Sequence, residues 1–314
     1  MTDGPKRSDT SERTSGAGAT ALAELDNIAE ALEERFKASK TLLSFREYVE
    51  LFAEEPARHG RDAATYVRDM FEHYGTEVVD KPWGKVVRYR LFDLPWDDKG
   101  DSRDMPLVGH EEIQGEIFRS LANFVNEGRA NRLVLMHGPN GSAKSTTAAC
   151  ILRALEHYST LPEGALYRLH WVFPSRKTTR GAIGFGDSQA DRAVPGGGSW
   201  DDTYAHLPDT AIDARLQVEI RDHPLFLLPI PERRALLAKL YGSATPPAWL
   251  ASGQLSYKNQ QVLEALMMSE EGNLKRALRH VQIERWTISR RYRQGAITLG
   301  PELSVDAGER QITA

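Results

Sequence analysis

The feature that most constrains this chain is the octet Gly138-Pro139-Asn140-Gly141-Ser142-Ala143-Lys144-Ser145, with Thr146 next. An apolar run from Leu133 to Met136 precedes it, and a helical pattern with Ala148, Ile151, Leu152 and Leu155 follows. Strand, tight turn and helix is the context in which GxxxxGK[ST] wraps a phosphate group. Small residues let successive backbone N–H groups curl round the anion, and the helix N-terminus adds partial positive charge. Lys144 is placed to reach the β/γ oxygens and Ser145 to offer its hydroxyl to Mg²⁺. One letter breaks the pattern. Ala143 stands where glycine is usual, and if that position takes positive φ its Cβ costs about 1–2 kcal/mol.

A complete hydrolase built on this loop also needs an acid ending a later buried strand, to hold Mg²⁺ and polarise water. Leu166 to Phe173 and Leu225 to Leu228 read as strands, but the first has no acid and the second reaches Glu232 only after two prolines. Asp187, Asp191, Asp201, Asp202 and Asp222 fall in loops or ahead of a strand. Phosphate binding is therefore expected and no catalytic residue is assigned. The plain alternative is a Gly-rich turn between strand and helix that binds nothing.

Residues 1–18 contain no apolar stretch and read as a disordered tail. Leu22, Leu25, Ile28, Leu32 and Phe36 then recur as one helix stripe. Ser44 with Glu47 forms a capping box ahead of Phe45, Val49 and Phe52. A third helix with Val67, Met70, Phe71 and Tyr74 stops at Gly75. Residues 19–104 thus read as an N-terminal helical module ending in an edge strand (KVVRYRLF) and a polar linker, and 105–314 as a nucleotide-binding domain. Helical patterns return after Pro231, at Leu236 to Leu240, Val262 to Leu266 and Leu274 to Val281. The fold class is α/β.

Composition narrows the function. With 40 Lys and Arg against 44 Asp and Glu in 314 residues, the net charge of −4 provides no whole-chain field for nucleic acid or anionic membrane. The single cysteine, Cys150, excludes an internal disulfide and suits a reducing compartment, so the cytoplasm is expected. No apolar run approaches the roughly 18–20 residues of a membrane span. No signal peptide is legible at the N-terminus.

Upstream of the loop, Pro106-Leu107-Val108-Gly109-His110-Glu111-Glu112 is similar to the segment that AAA+ ATPases pack on adenine, with Val108 and Gly109 as the matching positions. Over most of its length the chain resembles the bacterial PrkA family of serine protein kinases with an AAA+ core. The resemblance is carried by SFREYVELFAEEP, VGHEE, GPNGSAKST, DARLQVEIRDHPLFLLP and HVQIERWTISRRYRQGAITLGPELSVDAGERQIT. It implies a P-loop AAA+ αβα core with helical additions, Mg-ATP as cofactor, a protein substrate and self-association through the core. Family members are longer, and the region beyond DAGERQIT is expected to supply the acid, so the chain reads as incomplete at its C-terminus. Neither HRD nor DFG occurs, so phosphotransfer has no independent support. An AAA+ remodelling or protease-associated ATPase, or a non-catalytic module with a vestigial loop, remains open.

Between Lys275 and Arg293 lie seven Lys and Arg residues and one acid, Glu284, with Trp286 and Tyr292 interleaved. A solvated helix face backed by Leu274, Ala277, Leu278 and Val281 is the favoured reading, ahead of an arginine reaching the nucleotide, and nucleic acid comes last. Six glycines between Arg180 and Trp200 mark a loop or lid. Cys150 reads as a small core residue, and the nine histidines show no metal-ligand spacing.

Overall fold

The computed structural model describes residues 41–97, 105–128, 133–175, 200 and 202–297, together with parts of a helix at 24–31. The expected tail, Leu22, Leu32, Phe36, Asp187, Asp191, Asp201 and the glycines of 181–198 lie outside the described residues. Of the first helix stripe, Leu25 and Ile28 are exposed.

Four strands form one sheet in the order β1 (Leu42–Ser44), β6 (Val281–Trp286), β4 (Leu166–Pro174), β5 (Ile212–Leu216), and every pairing is antiparallel. The fold is mixed helix and sheet. One sheet face carries Leu43, Leu169, Trp171, Val281 and Ile283 and is covered by α1 (Phe45–Glu54), α5 (Ile230–Tyr241) and α6 (Tyr257–Ser269). The capping box opens α1 as the sequence predicts, since Ser44 Oγ accepts from the Glu47 N–H while the Glu47 carboxylate accepts from the Ser44 N–H.

A second core joins α2 (Ala63–Tyr74), α3 (Glu111–Glu127) and α4 (Lys144–Thr160) through Met70, Phe71, Phe92, Ile117, Cys150, Ala154 and Tyr158. This core crosses the boundary expected near residue 105, so the N-terminal helices buttress both helices that flank the phosphate loop. Arg61 is the clasp, donating to the Tyr158 hydroxyl at 3.0 Å and to Glu163 O at 2.8 Å. A two-stranded hairpin, β2 (Thr76–Lys81) with β3 (Gly84–Tyr89), leans on the start of α3, where Lys81 meets Glu111 at 3.0 Å.

Three expectations are corrected. Leu133 to Met136 belongs to no strand, and Leu133 and Leu135 are 87% and 80% exposed. It pairs with none of the strands: β4 lies between β5 and β6 and β6 between β4 and β1, and the segment does not join the outer edge of β1 or β5. Leu225 to Leu228 is a buried 3-10 turn over Pro224–Leu227, because Pro224 fixes φ and His223 Nδ1 accepts from the Leu225 N–H at 3.2 Å. Val281 ends the helical pattern rather than extending it. From Val281 to Glu284 apolar and polar side chains alternate with period two, and the segment runs through the middle of the sheet.

His223 makes the first core pH-sensitive. Its ring is largely buried, with Nε2 3.1 Å from both Tyr48 Oη and His59 O, and desolvation pushes its pKa down to about 4. The folded state therefore holds the neutral ring, whereas the unfolded chain protonates near its ordinary value of about 6.5. Stability from this group is complete above about pH 6.5 and is lost as pH falls towards 4, by about 3 kcal/mol. Urea unfolding of the wild type and His223→Gln across this range checks it. The variant is expected to lose stability less steeply between about pH 6.5 and 4, with His157 and His280, also lowered by burial, retaining their share, and parallel slopes would refute the assignment.

Candidate functional site

The phosphate-loop residues form a compact turn ahead of α4. Gly141 has φ +84° and Ala143 has φ +57°, ψ +17°, so the letter that departs from the pattern does sit in the left-handed region. At Gly138 a Cβ would lie 2.9 Å from Ser142 Oγ, so a larger residue there would push that hydroxyl aside. Ser142 Oγ donates to Pro139 O at 2.9 Å and pins the turn. Ala143 is the residue before the first turn of α4 and supplies no side-chain cap, so the N–H groups of that turn have no capping side chain. Thr147 closes the turn from behind, its hydroxyl donating to Ala143 O at 2.9 Å.

Lys144 folds back over the loop. Its Nζ donates to Gly138 O at 2.8 Å, Pro139 O at 2.7 Å and Ser142 Oγ at 3.0 Å, and it makes no ion pair among the described residues. The ammonium is thus held at the centre of the turn, beside the uncapped helix end, in a charge-assisted cage that a phosphate could enter.

Beside the loop lies a cleft of about 460 Å³ between α3 and the segment 133–139, within the usual range for small-molecule sites. Gly138, Pro139, Ser142 and Lys144 line it, while Asn140, Gly141, Ala143, Ser145 and Thr146 do not. Ser145 is exposed. Val108 and Gly109 also stay outside, although the neighbouring His110 lines the cleft. Val108 is 76% exposed. Gly109 is held by Gln114, a fully buried residue with no signal in the sequence, whose amide accepts from the Tyr89 N–H and donates to Gly109 O, each at 3.1 Å. Left-handed backbone at Gly109 and His110 turns the chain into α3. The apolar walls come from Ile113, Ile117, Phe124 and Met136.

The basic run of 275–293 does not form one face. Lys275 lies over Trp200, and Arg279 pairs with Asp202 at 2.8 Å. Arg285 donates to Thr160 O and Leu161 O at the C-terminal end of α4, complementing its dipole, and Arg290 pairs with Glu156 at 2.9 Å. Glu284 takes Arg168 and His170 across the sheet, and they hold its carboxyl at about 2. None of the seven cations lines the cleft. Asp222 is buried and accepts from the Ser256 N–H, Ser256 Oγ and Asn259 Nδ2, which makes it a structural acid. Cys150 is buried in the second core. Among the described residues no group of three or more His, Cys, Asp and Glu could hold a metal ion, and no helix is long and apolar enough to cross a membrane.

The fold and site thus define a mixed helix-and-sheet chain with a phosphate-loop-like turn opening onto a cleft. Compared with protein families, with curated proteins and with solved structures, the chain finds no match in any of the three.

Proposed function

We propose that the chain binds Mg-ATP, with the phosphates at the Gly138–Thr146 turn and the base in the adjoining cleft, as the nucleotide-binding AAA+ region of a PrkA-like serine protein kinase. The observation that carries the reading is the position of Lys144, whose ammonium sits within the turn at the open end of a 17-residue helix and faces the cleft. Lys144 would neutralise phosphate charge, and the first-turn N–H groups of α4 would bind the oxygens. Ile113, Ile117, Phe124 and Met136 would exclude water from the base. The exposed Ser145 hydroxyl would be open to a Mg²⁺ carried by the phosphates. The kinase assignment rests on the sequence resemblance alone, and the antiparallel sheet lends no support to an AAA+ core.

A second reading, a non-catalytic interaction module with a vestigial loop, is favoured by the exposed, unladdered Leu133–Met136 segment and by a lysine already satisfied by loop oxygens. Calorimetric titration with Mg-ATP separates the two. On the nucleotide reading the wild type binds, and Ala143→Gly changes affinity less than about threefold while raising stability by about 0.5–1 kcal/mol, since strain relief exceeds the added unfolded-state entropy. A wild type that does not bind while Ala143→Gly does would establish the vestigial reading.

A further inference from the structure

We propose that the outer edge of β5 is a self-pairing surface, on which a second copy of this chain adds its own β5 antiparallel about Ala214 and joins the two sheets into one. The pairing is independent of nucleotide binding.

The sheet ends in two edge strands. At one end β1 is a poor template, since it has three residues and its Ser44 N–H is already taken by the Glu47 carboxylate. At the other end β5 has five residues, Ile212-Asp213-Ala214-Arg215-Leu216, and among the described residues it pairs with β4 alone. Residues 213–216 are exposed. An open edge of this kind offers its backbone N–H and C=O groups to a further strand, and β5 carries no proline or lysine to blunt it.

The order of the letters selects a second copy. Antiparallel pairing about Ala214 sets Asp213 opposite Arg215 of the other copy, Arg215 opposite its Asp213, and Ile212 opposite its Leu216. Registers centred on Asp213 or Arg215 oppose like charges instead. Such self-complementarity is what a two-fold interface requires. Sheet parity keeps the two kinds of contact apart. Ala214 lies opposite Phe173 and Leu216 opposite Trp171, so both belong to the face that α6 covers, and Asp213 and Arg215 belong to the other face. On the apolar side Leu216, still 42% exposed, borders a groove of about 610 Å³ with Phe173, Val262 and Leu266. Ile212 of the added strand covers Leu216 at the edge of that groove. On the polar side Asp213 makes no ion pair among the described residues. Arg215 meets Asp209 at 3.1 Å, but that carboxylate is 88% exposed, so little is lost when the guanidinium turns to a second acid.

Sedimentation velocity of the full chain tests the pairing. The wild type is expected to pass reversibly from monomer to dimer over about 1–200 µM, as suits a small interface, and to dimerise less at high salt. Asp213→Arg and Arg215→Asp each oppose like charges at both symmetric positions, and each should weaken dimerisation about tenfold or more. An equimolar mixture of the two variants restores both opposite-charge pairs and should dimerise about as well as the wild type, as should the chain carrying both exchanges. Thermal unfolding of each variant checks that these exposed substitutions leave the fold intact. A wild type that stays monomeric throughout, a dimer that both single variants keep, or a mixture and a double exchange that fail to recover association overturns the proposal.

Discussion

Lys144→Ala is expected to weaken ATP binding roughly a hundred- to a thousandfold, the loss that follows from truncating one partner of a desolvated charge pair. The size of the effect follows from what surrounds the ammonium. Gly138 O and Pro139 O lie 2.8 and 2.7 Å from Nζ, so removing the side chain both deletes the cation and leaves two carbonyl dipoles turned towards the incoming phosphate. Lys144→Arg should not restore binding, because the planar guanidinium cannot occupy a turn shaped round a compact ammonium. The fold should tolerate either change, since the two cores do not include this side chain. Calorimetry on both variants, with thermal unfolding as the control, checks the expectation, and unchanged affinity in Lys144→Ala would end the nucleotide reading.

Local signals were legible in the sequence and long-range ones were not. The capping box at Ser44 and Glu47, the helix from Lys144 and the strand beginning at Leu166 each depend on neighbours a few residues away, and each is found where the letters place it. Even the strain at Ala143 could be read, because positive φ at that letter is a property of the turn itself. Pairing partners are a different matter. Leu133 to Met136 has the composition of a buried strand, yet a strand needs a paired neighbour, and this segment pairs with none of the strands of the sheet. Val281 fits a helical stripe continued from Leu274 and Leu278, and only the register with Leu42–Ser44 and Leu166–Trp171 decides for a strand. Gln114 has no motif at all, and its value lies in spanning Tyr89 and Gly109, two backbone groups brought together by the fold.

Trp171→Ala is expected to destabilise the protein by about 4–5 kcal/mol, at the upper end for loss of a buried aromatic. Trp171 is fully buried in β4, opposite Val281 of β6 and Leu216 of β5, so its removal opens a cavity at the centre of the sheet face that α6 covers. Its Nε1 also donates to Asn259 Oδ1 at 2.9 Å, and Asn259 Nδ2 donates in turn to Asp222 Oδ2 at 2.7 Å. Asp222 uses the same oxygen to accept from the Ser256 N–H and hydroxyl, which fastens the start of α6 to the loop after β5. Losing the indole therefore leaves a buried amide oxygen unpaired in addition to the void, a penalty of about 1–3 kcal/mol by itself. Trp171→Phe separates the two contributions, because it keeps most of the volume and loses the donor, and its cost should be about 1–2 kcal/mol. Denaturant unfolding of both variants gives the comparison directly. Equal losses would mean that the hydrogen-bond chain, not the packing, holds α6 to the sheet, whereas a loss confined to Trp171→Ala would mean that the chain through Asn259 and Asp222 contributes nothing measurable.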